Sequence, residues 1–183
     1  MKSRNAVFAM WVALFVAIGV VLGATMGAPN STHGGLGALK PGERRLMVPP
    51  REAVEVRLFV KGDTEPKLPR VVELMNDGDG ILLTPAQRAR LDRSVFRYRM
   101  TREEFENDAE AACFIPHHFF RYFDADGAQV AELRVCYCCR GVAMSPGDRS
   151  LGDDEEWQFD YAGIEQMLRE MNIPVDIDCP GNS

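Results

Sequence analysis

The sequence lacks an excess of positive charge. Its 183 residues include 21 Lys and Arg against 27 Asp and Glu, which gives a formal net charge of -6. Proteins whose main partner is nucleic acid usually carry a surplus of basic residues that neutralise phosphates. We therefore expect no nucleic-acid partner.

Motifs of the common enzyme classes are also missing. No pair of carboxylates, no nucleophile with a nearby base and no phosphate-binding loop stands out, and Ser145 and Ser150 lack the context of a nucleophile elbow. The pair Cys136 and Cys139 is followed by Arg140, which excludes the C-x-x-C-H motif of haem attachment. We expect that the protein is not an enzyme.

Charge is absent from one long stretch near the N-terminus. Residues 6–28, AVFAMWVALFVAIGVVLGATMGA, contain no charged residue, and about 20 apolar residues suffice to cross a bilayer. The length predicts an uncleaved transmembrane signal-anchor over residues 1–28, so the membrane is an expected partner. Lys2 and Arg4 favour a cytoplasmic N-terminus and a periplasmic or extracellular C-terminal domain. A secreted protein, released by signal-peptide cleavage, is the alternative.

The rest of the chain is predicted to divide into a flexible tether, residues 29–47, and an exported domain, residues 48–183. The tether is rich in small and polar residues, which bury too little apolar surface to fold alone. Alternation in AVEVRLFVK, residues 53–61, predicts a half-buried strand. Residues 70–75 and 81–83 form either a hairpin or a helix followed by a strand.

Capping signals predict helices. Thr84 and Gln87 form a capping-box pattern, which predicts a helix over residues 85–95. Residues 101–112 are expected to form a short helix or an ordered approach to Cys113.

A second helix is predicted near the C-terminus. It begins after Asp160, ends before Pro174 and buries residues at positions i, i+3, i+4 and i+7. These residues are Ile164, Met167, Leu168 and Met171. Residues 140–159 are expected to be a polar loop that Trp157 and Phe159 anchor to the core.

A hairpin is predicted in the stretch that contains four of the five cysteines. Residues 117–123 and 128–139 are aromatic or alternating, and the turn sequence Asp-Ala-Asp-Gly separates them. Pairing Phe123 with Ala128 places Cys113 opposite Cys138. The fold class is therefore α+β, with a small antiparallel sheet, a central β-hairpin and packed helices.

The clustered cysteines and histidines predict a metal site. The C-x-x-C spacing of Cys136 and Cys139 lets two thiolates bind one ion from a tight turn. Cys113 and one histidine, His117 or His118, would complete a tetrahedral zinc site, and Cys138 is an alternative ligand. Strand alternation alone does not choose between the two histidines.

Two further chemistries stay open. Cys113 could form a disulfide with Cys136, Cys138 or Cys139, which would give a disulfide-stabilised interaction domain with an envelope protein as partner. If Cys113, Cys136 and Cys139 bind metal, Cys138 and Cys179 are left as a possible disulfide. A thiol-disulfide oxidoreductase is the third alternative, although a thioredoxin-type C-x-x-C opens a helix and this pair ends a strand.

The order C-x-x-P-x-H, aromatic strand, Asp-x-x-Gly turn, second strand and C-x-x-C resembles a group of uncharacterised, exported bacterial proteins with C-x-x-P-x-H and I-C-F-x-C-type motifs. The similarity runs from Leu83 to Pro174. The shared positions are Cys113, Pro116, His118, Cys136 and Cys139. The resemblance implies His118 rather than His117 as the ligand, and it implies no reaction because the group has no established activity. His117, Cys138 and Cys179 depart from the pattern.

Overall fold

The computed structural model describes residues 38–62, 68–107, 114–146 and 151–179. The chain divides into two units, Met1–Ala38 and Leu39–Ser183. All described residues except Ala38 belong to the second unit. The predicted membrane anchor lies outside the described residues, and none of the described helices is long and apolar enough to cross a membrane.

Strands and helices are mixed along the described part of the chain. In chain order the elements are β1 (Arg44–Leu46), β2 (Glu55–Val60), α1 (Pro69–Asn76), β3 (Ile81–Leu82), α2 (Pro85–Asp92), β4 (Val95–Arg99), α3 (Arg102–Asn107), β5 (His118–Phe123), β6 (Gln129–Cys136), β7 (Gly141–Ser145), β8 (Glu155–Phe159) and α4 (Tyr161–Glu170). The strands form a three-stranded sheet, β1-β4-β8, and a five-stranded sheet, β3-β2-β5-β6-β7. All pairs are antiparallel, which confirms the α+β class with small antiparallel sheets.

The five-stranded sheet buries one face, which we call the inner face. Alternate residues of its three central strands point to this side, as the period of two requires. The buried residues are Val56, Leu58 and Val60 of β2, His118, Phe120 and Tyr122 of β5, and Ala131, Leu133 and Val135 of β6. Helix α4 contributes Ile164, Met167 and Leu168 to the same core. The opposite side of the sheet, with Arg57, Phe59, Phe119, Arg121, Arg134 and Cys136, is called the outer face.

The central hairpin forms at the predicted turn. The Asp124 carboxylate accepts the N–H groups of Asp126 and Ala128. Gly127 adopts a φ of 79°, a conformation that residues with a Cβ avoid. Local turn chemistry therefore determines where the chain reverses.

The register of the hairpin differs from the predicted register by two residues. His118 lies opposite Val135, whereas pairing Phe123 with Ala128 had placed it opposite Leu133. Phe123 pairs with Gln129 instead of Ala128, which shifts the register by one residue, and a β-bulge between Tyr122 and Phe123 shifts it by one more. An even shift keeps every side chain on its predicted face.

Helix α2 has the predicted capping box but ends earlier than expected. The Thr84 hydroxyl accepts the Gln87 N–H, and the Gln87 side chain accepts the Thr84 N–H. The helix stops at Asp92 instead of residue 95 because Val95 begins β4 and pairs with Phe159. Helix α4 matches the prediction, with the Asp160 side chain accepting the Gly163 N–H.

The expectation of a polar loop over residues 140–159 is wrong. Strands β7 and β8 occupy its two ends, and β7 places Val142 opposite Val135 on the inner face. Each strand has five residues and pairs with a strand distant in the chain or across a turn. Strand β7 begins with glycine and β8 begins with two glutamates, so the local sequence does not predict these strands.

Residues 39–47, which the sequence assigned to the tether, pack against the folded unit. Leu39 and Met47 are buried, and β1 pairs with β4. The N–H of Met47 also donates to the carbonyl of Val95. The folded unit therefore begins near Leu39 rather than near Val48.

Candidate functional site

The turn between β6 and β7 holds the C-x-x-C pair. Cys136 is the last residue of β6 and lies opposite Gly141, the first residue of β7. Residues 137–140 form the turn, and Arg140 adopts a φ of 53°. This left-handed residue reverses the chain directly after Cys139, so both cysteines are held at the same end of the hairpin.

Backbone N–H groups point at both sulfur atoms. The Cys139 N–H donates to Cys136 Sγ over 3.3 Å. The N–H groups of Gly141 and Ile115 donate to Cys139 Sγ, and the two thiols are hydrogen-bonded to each other. Cys136 is buried, Cys139 is partly exposed, and both thiols are free. Donors directed at sulfur favour the thiolate form.

The balance of these effects nevertheless raises the pKa of the Cys139 thiol. Burial raises the pKa of the Cys139 thiol, and the neighbouring Cys136 thiol raises that pKa further. The N–H groups of Gly141 and Ile115 act in the opposite direction without cancelling the rise. A divalent cation removes the penalty for two adjacent thiolates, because its charge compensates theirs.

The absence of a side chain at Gly141 opens space beside the pair. A Cβ at this position would lie 2.6 Å from Cδ2 of Phe114 and 3.4 Å from Cys139 Sγ. The Phe114 ring therefore packs against the turn. Cys113 precedes Phe114 in the chain but lies outside the described residues.

The two histidines lie on different faces of the sheet. His118 is fully buried opposite Val135 on the inner face, and its Nε2–H donates to the Pro174 carbonyl over 2.8 Å. Cys136 follows Val135 and so belongs to the outer face. The same alternation places His117 on the side of Cys136. The Nδ1–H of His117 donates to the Lys61 carbonyl over 2.8 Å, which leaves Nε2 with its lone pair.

Cys138 is engaged in a different bond. Its sulfur lies 2.00 Å from that of Cys179, so the structure joins these two residues in a disulfide. The pair C-x-x-C therefore keeps its two free thiols while the cysteine between them is oxidised. Cys136 ends a strand and Cys139 lies in a turn, so neither thiol opens a helix.

No metal-binding group of three or more His, Cys, Asp or Glu side chains occurs within the four described ranges. Neither His117 nor His118 therefore forms such a group with Cys136 and Cys139. The predicted set also requires Cys113, outside these ranges, so the full ligand set stays a prediction.

Comparisons with known proteins add no family. The chain matches no protein-family model, no curated protein and no solved structure. The resemblance seen in the sequence therefore stays a prediction, and the argument for function rests on the site.

The interior beside the turn contains polar atoms that the sequence did not single out. His118 Nδ1, Tyr137 Oη and Tyr161 Oη are buried and have no hydrogen-bond partner among the described residues. The His118 and Tyr137 rings meet edge to face with centroids 5.2 Å apart, and the Tyr137 and Tyr161 rings do so at 5.7 Å. Tyr137 lies two residues after the inner-face residue Val135, so strand alternation in the sequence could have placed its ring on the same face.

Burial of His118 makes the stability of the fold sensitive to acid. Burial lowers the pKa of His118 from its usual 6.5 to about 4, although the Pro174 carbonyl acts in the opposite direction. Above pH 6.5 the residue is neutral in both the folded and the unfolded chain. As the pH falls from 6.5 towards 4, the unfolded chain takes up a proton that the folded chain does not. Through His118 alone, the fall in pH from 6.5 to 4 should therefore lower the free energy of unfolding by about 3 kcal/mol.

Urea unfolding between pH 7 and pH 4.5, with a chelator present throughout, measures this effect. His118→Gln should show a shallower fall in the free energy of unfolding than the wild type. His117→Gln, the matched change one residue away, should keep the full fall. Equal pH dependence in the wild type and His118→Gln would contradict the assignment.

Proposed function

We propose that this protein is a membrane-anchored envelope protein whose exported domain binds one structural zinc ion at the turn between β6 and β7. The observation that supports the proposal is the pair Cys136 and Cys139, free, adjacent and surrounded by N–H donors. Thiolate sulfur is a preferred ligand of zinc, and a C-x-x-C turn supplies two sulfurs to one ion. Cys113 is proposed as the third ligand because Phe114 and Ile115, which follow it, contact the turn.

His117 is the proposed fourth ligand, in place of the His118 that the sequence pattern suggested. Strand alternation places His117 on the same face as Cys136. A histidine that binds a metal commonly donates its other ring N–H to a carbonyl, as His117 does to the carbonyl of Lys61. His118 is on the inner face and donates to Pro174. Four protein ligands would give a closed site that stabilises the fold and leaves no position for a reacting molecule.

Metal content of the full-length protein in detergent tests the proposal. After equilibration with zinc and removal of unbound metal, the wild type should retain one zinc per chain. Cys136→Ser should lose it, because a direct ligand contributes more than the roughly 10–100-fold in affinity that an outer-shell partner provides. His117→Gln should weaken binding, whereas His118→Gln should not.

The double variant Cys138→Ser, Cys179→Ser is the matched cysteine control. It removes the Cys138 sulfur from the same turn and the Cys179 sulfur to which Cys138 is bonded. The variant should keep the zinc. A wild-type protein without zinc, in which Cys136 and Cys139 are both oxidised, would contradict the proposal.

A disulfide-stabilised interaction domain is the second candidate. The Cys138–Cys179 disulfide supports it, because this bond fastens the C-terminal segment, residues 173–179, to the turn. In that case Cys113 would be found in a second disulfide and no zinc would be retained. The partner would then be another envelope protein.

A further inference from the structure

The outer face of the five-stranded sheet carries more cations than carboxylates. Arg57 pairs with Glu55, and Arg121 pairs with Glu132, each over 2.8 Å. Arg121 also lies 4.3 Å from the centroid of the Phe59 ring. These two arginines therefore have their charge partners on the same face.

Lys61 and Arg134 on that face differ from this pattern. Lys61 is exposed and its Nζ lies 4.9 Å from the centroid of the Phe119 ring. Arg134 lies directly opposite Phe119 on β6, and its Nε is buried without a hydrogen-bond partner. Neither cation has a carboxylate partner within the described residues.

A buried guanidinium N–H without an acceptor is costly. Leaving such a donor unsatisfied costs the free energy of its desolvation, and this cost is larger when the group is charged. An apolar side chain of similar length would pack on Phe119 without that cost. On its other side Arg134 lies opposite Ala143 of β7.

We propose that Lys61 and Arg134 form a binding site for an oxyanion, with the Phe119 ring as its floor. The guanidinium donates from a planar fork that fits a carboxylate or a phosphate, and the ammonium adds a second positive charge. The whole chain has a formal charge of -6, so its net charge does not attract anions and the site would rely on these two local cations.

The position of the site is distinct from that of the thiol pair. Arg134 and Cys136 are two residues apart on the same face of β6, so an oxyanion bound here lies beside the turn but uses no sulfur ligand. The site does not depend on zinc, and its test is made with a chelator present.

NMR of the arginine side chains in the full-length protein in detergent micelles tests the site. The Nε–H signal of Arg134 should shift saturably when sodium acetate or sodium phosphate replaces sodium chloride at constant ionic strength. Lys61→Gln should weaken this binding by about tenfold or more, the effect of losing one charged hydrogen bond. A shift with acetate alone or phosphate alone supports the site and names the oxyanion it prefers.

Arg57→Gln is the matched control, because it removes a cation of the same face that is already paired with Glu55. It should leave the affinity unchanged. No saturable shift with either ion would overturn the proposal. Equal weakening by Arg57→Gln and Lys61→Gln would also overturn it, since it would indicate general surface charge instead of a site.

Discussion

Removal of the Cys138–Cys179 disulfide should lower the free energy of unfolding by about 4 kcal/mol, as loop-closure entropy predicts for cysteines 41 residues apart. The bond limits the freedom of the unfolded chain over a loop that includes β7, β8 and α4. It also holds the C-terminal segment, which buries Ile173, Val175 and Ile177 in alternation. The effect should therefore be among the largest of any change in this domain.

Urea unfolding of the double variant Cys138→Ala, Cys179→Ala without reductant measures the effect. The double change avoids a new free thiol next to Cys136 and Cys139. Addition of reductant should lower the stability of the wild type by a similar amount and leave the variant unchanged. Equal stability of variant and wild type would show that the segment is held without the cross-link.

Loss of the Glu155 carboxylate should destabilise the fold by about 3–5 kcal/mol, because it breaks a buried ion pair by removing one side of it. Arg97 of β4 donates to Glu155 of β8, and their side chains are only 13% and 5% exposed. The Gly152 N–H donates to the same carboxylate over 3.0 Å. The Glu155→Leu variant should therefore show a large fall in the free energy of unfolding.

The ionisation of Glu155 agrees with this expectation. Burial would raise the pKa of its carboxyl group, but the Gly152 N–H and the Arg97 guanidinium together hold that pKa below its usual value. The stabilisation is therefore present above the pKa of an unfolded glutamate and is lost as the pH falls through the lower folded value.

Thermal or urea unfolding of two control variants separates the buried pair from surface ion pairs. Glu55→Leu breaks the outer-face pair with Arg57, whose side chains are about one-third exposed, and should cost less than about 1 kcal/mol in ion-pair energy. The double variant Arg97→Met, Glu155→Leu should recover much of the loss, since the guanidinium is removed together with its Glu155 partner. Equal losses in Glu55→Leu and Glu155→Leu would contradict the buried-pair interpretation.

The parts of the fold that the sequence predicted are those with local causes. The capping box at Thr84, the apolar stripe of α4 and the turn at Asp124 each depend on residues that lie close together in the sequence. Such short-range interactions can be predicted from the sequence without knowing the rest of the molecule. The central hairpin followed from the same local signals.

The parts that the sequence did not predict depend on distant partners. Strands β1 and β8 both pair with β4, so their short sequences carry little information alone. The bulge beside Phe123 contributes one residue of the two-residue shift in register, and no residue type in the sequence predicts it. Strand alternation separates the two adjacent histidines into different faces in either register, and the observed register pairs His118 with Val135.

The cysteines divide between two chemistries within four residues of chain. Cys138 is tied to Cys179, whereas Cys136 and Cys139 remain thiols. If the domain is exported, as we propose, two free thiols beside a disulfide need a reason not to oxidise, and a bound metal ion would supply it.

X-ray absorption at the zinc edge of the full-length, zinc-loaded protein tests this site most directly. The proposed ligand set predicts three sulfur atoms at about 2.3 Å and one nitrogen atom at about 2.0 Å from the metal. Non-reducing peptide mapping of the same sample should find Cys138 joined to Cys179. A sample that retains no zinc, with Cys136 and Cys139 oxidised to disulfides, would contradict the proposed metal site.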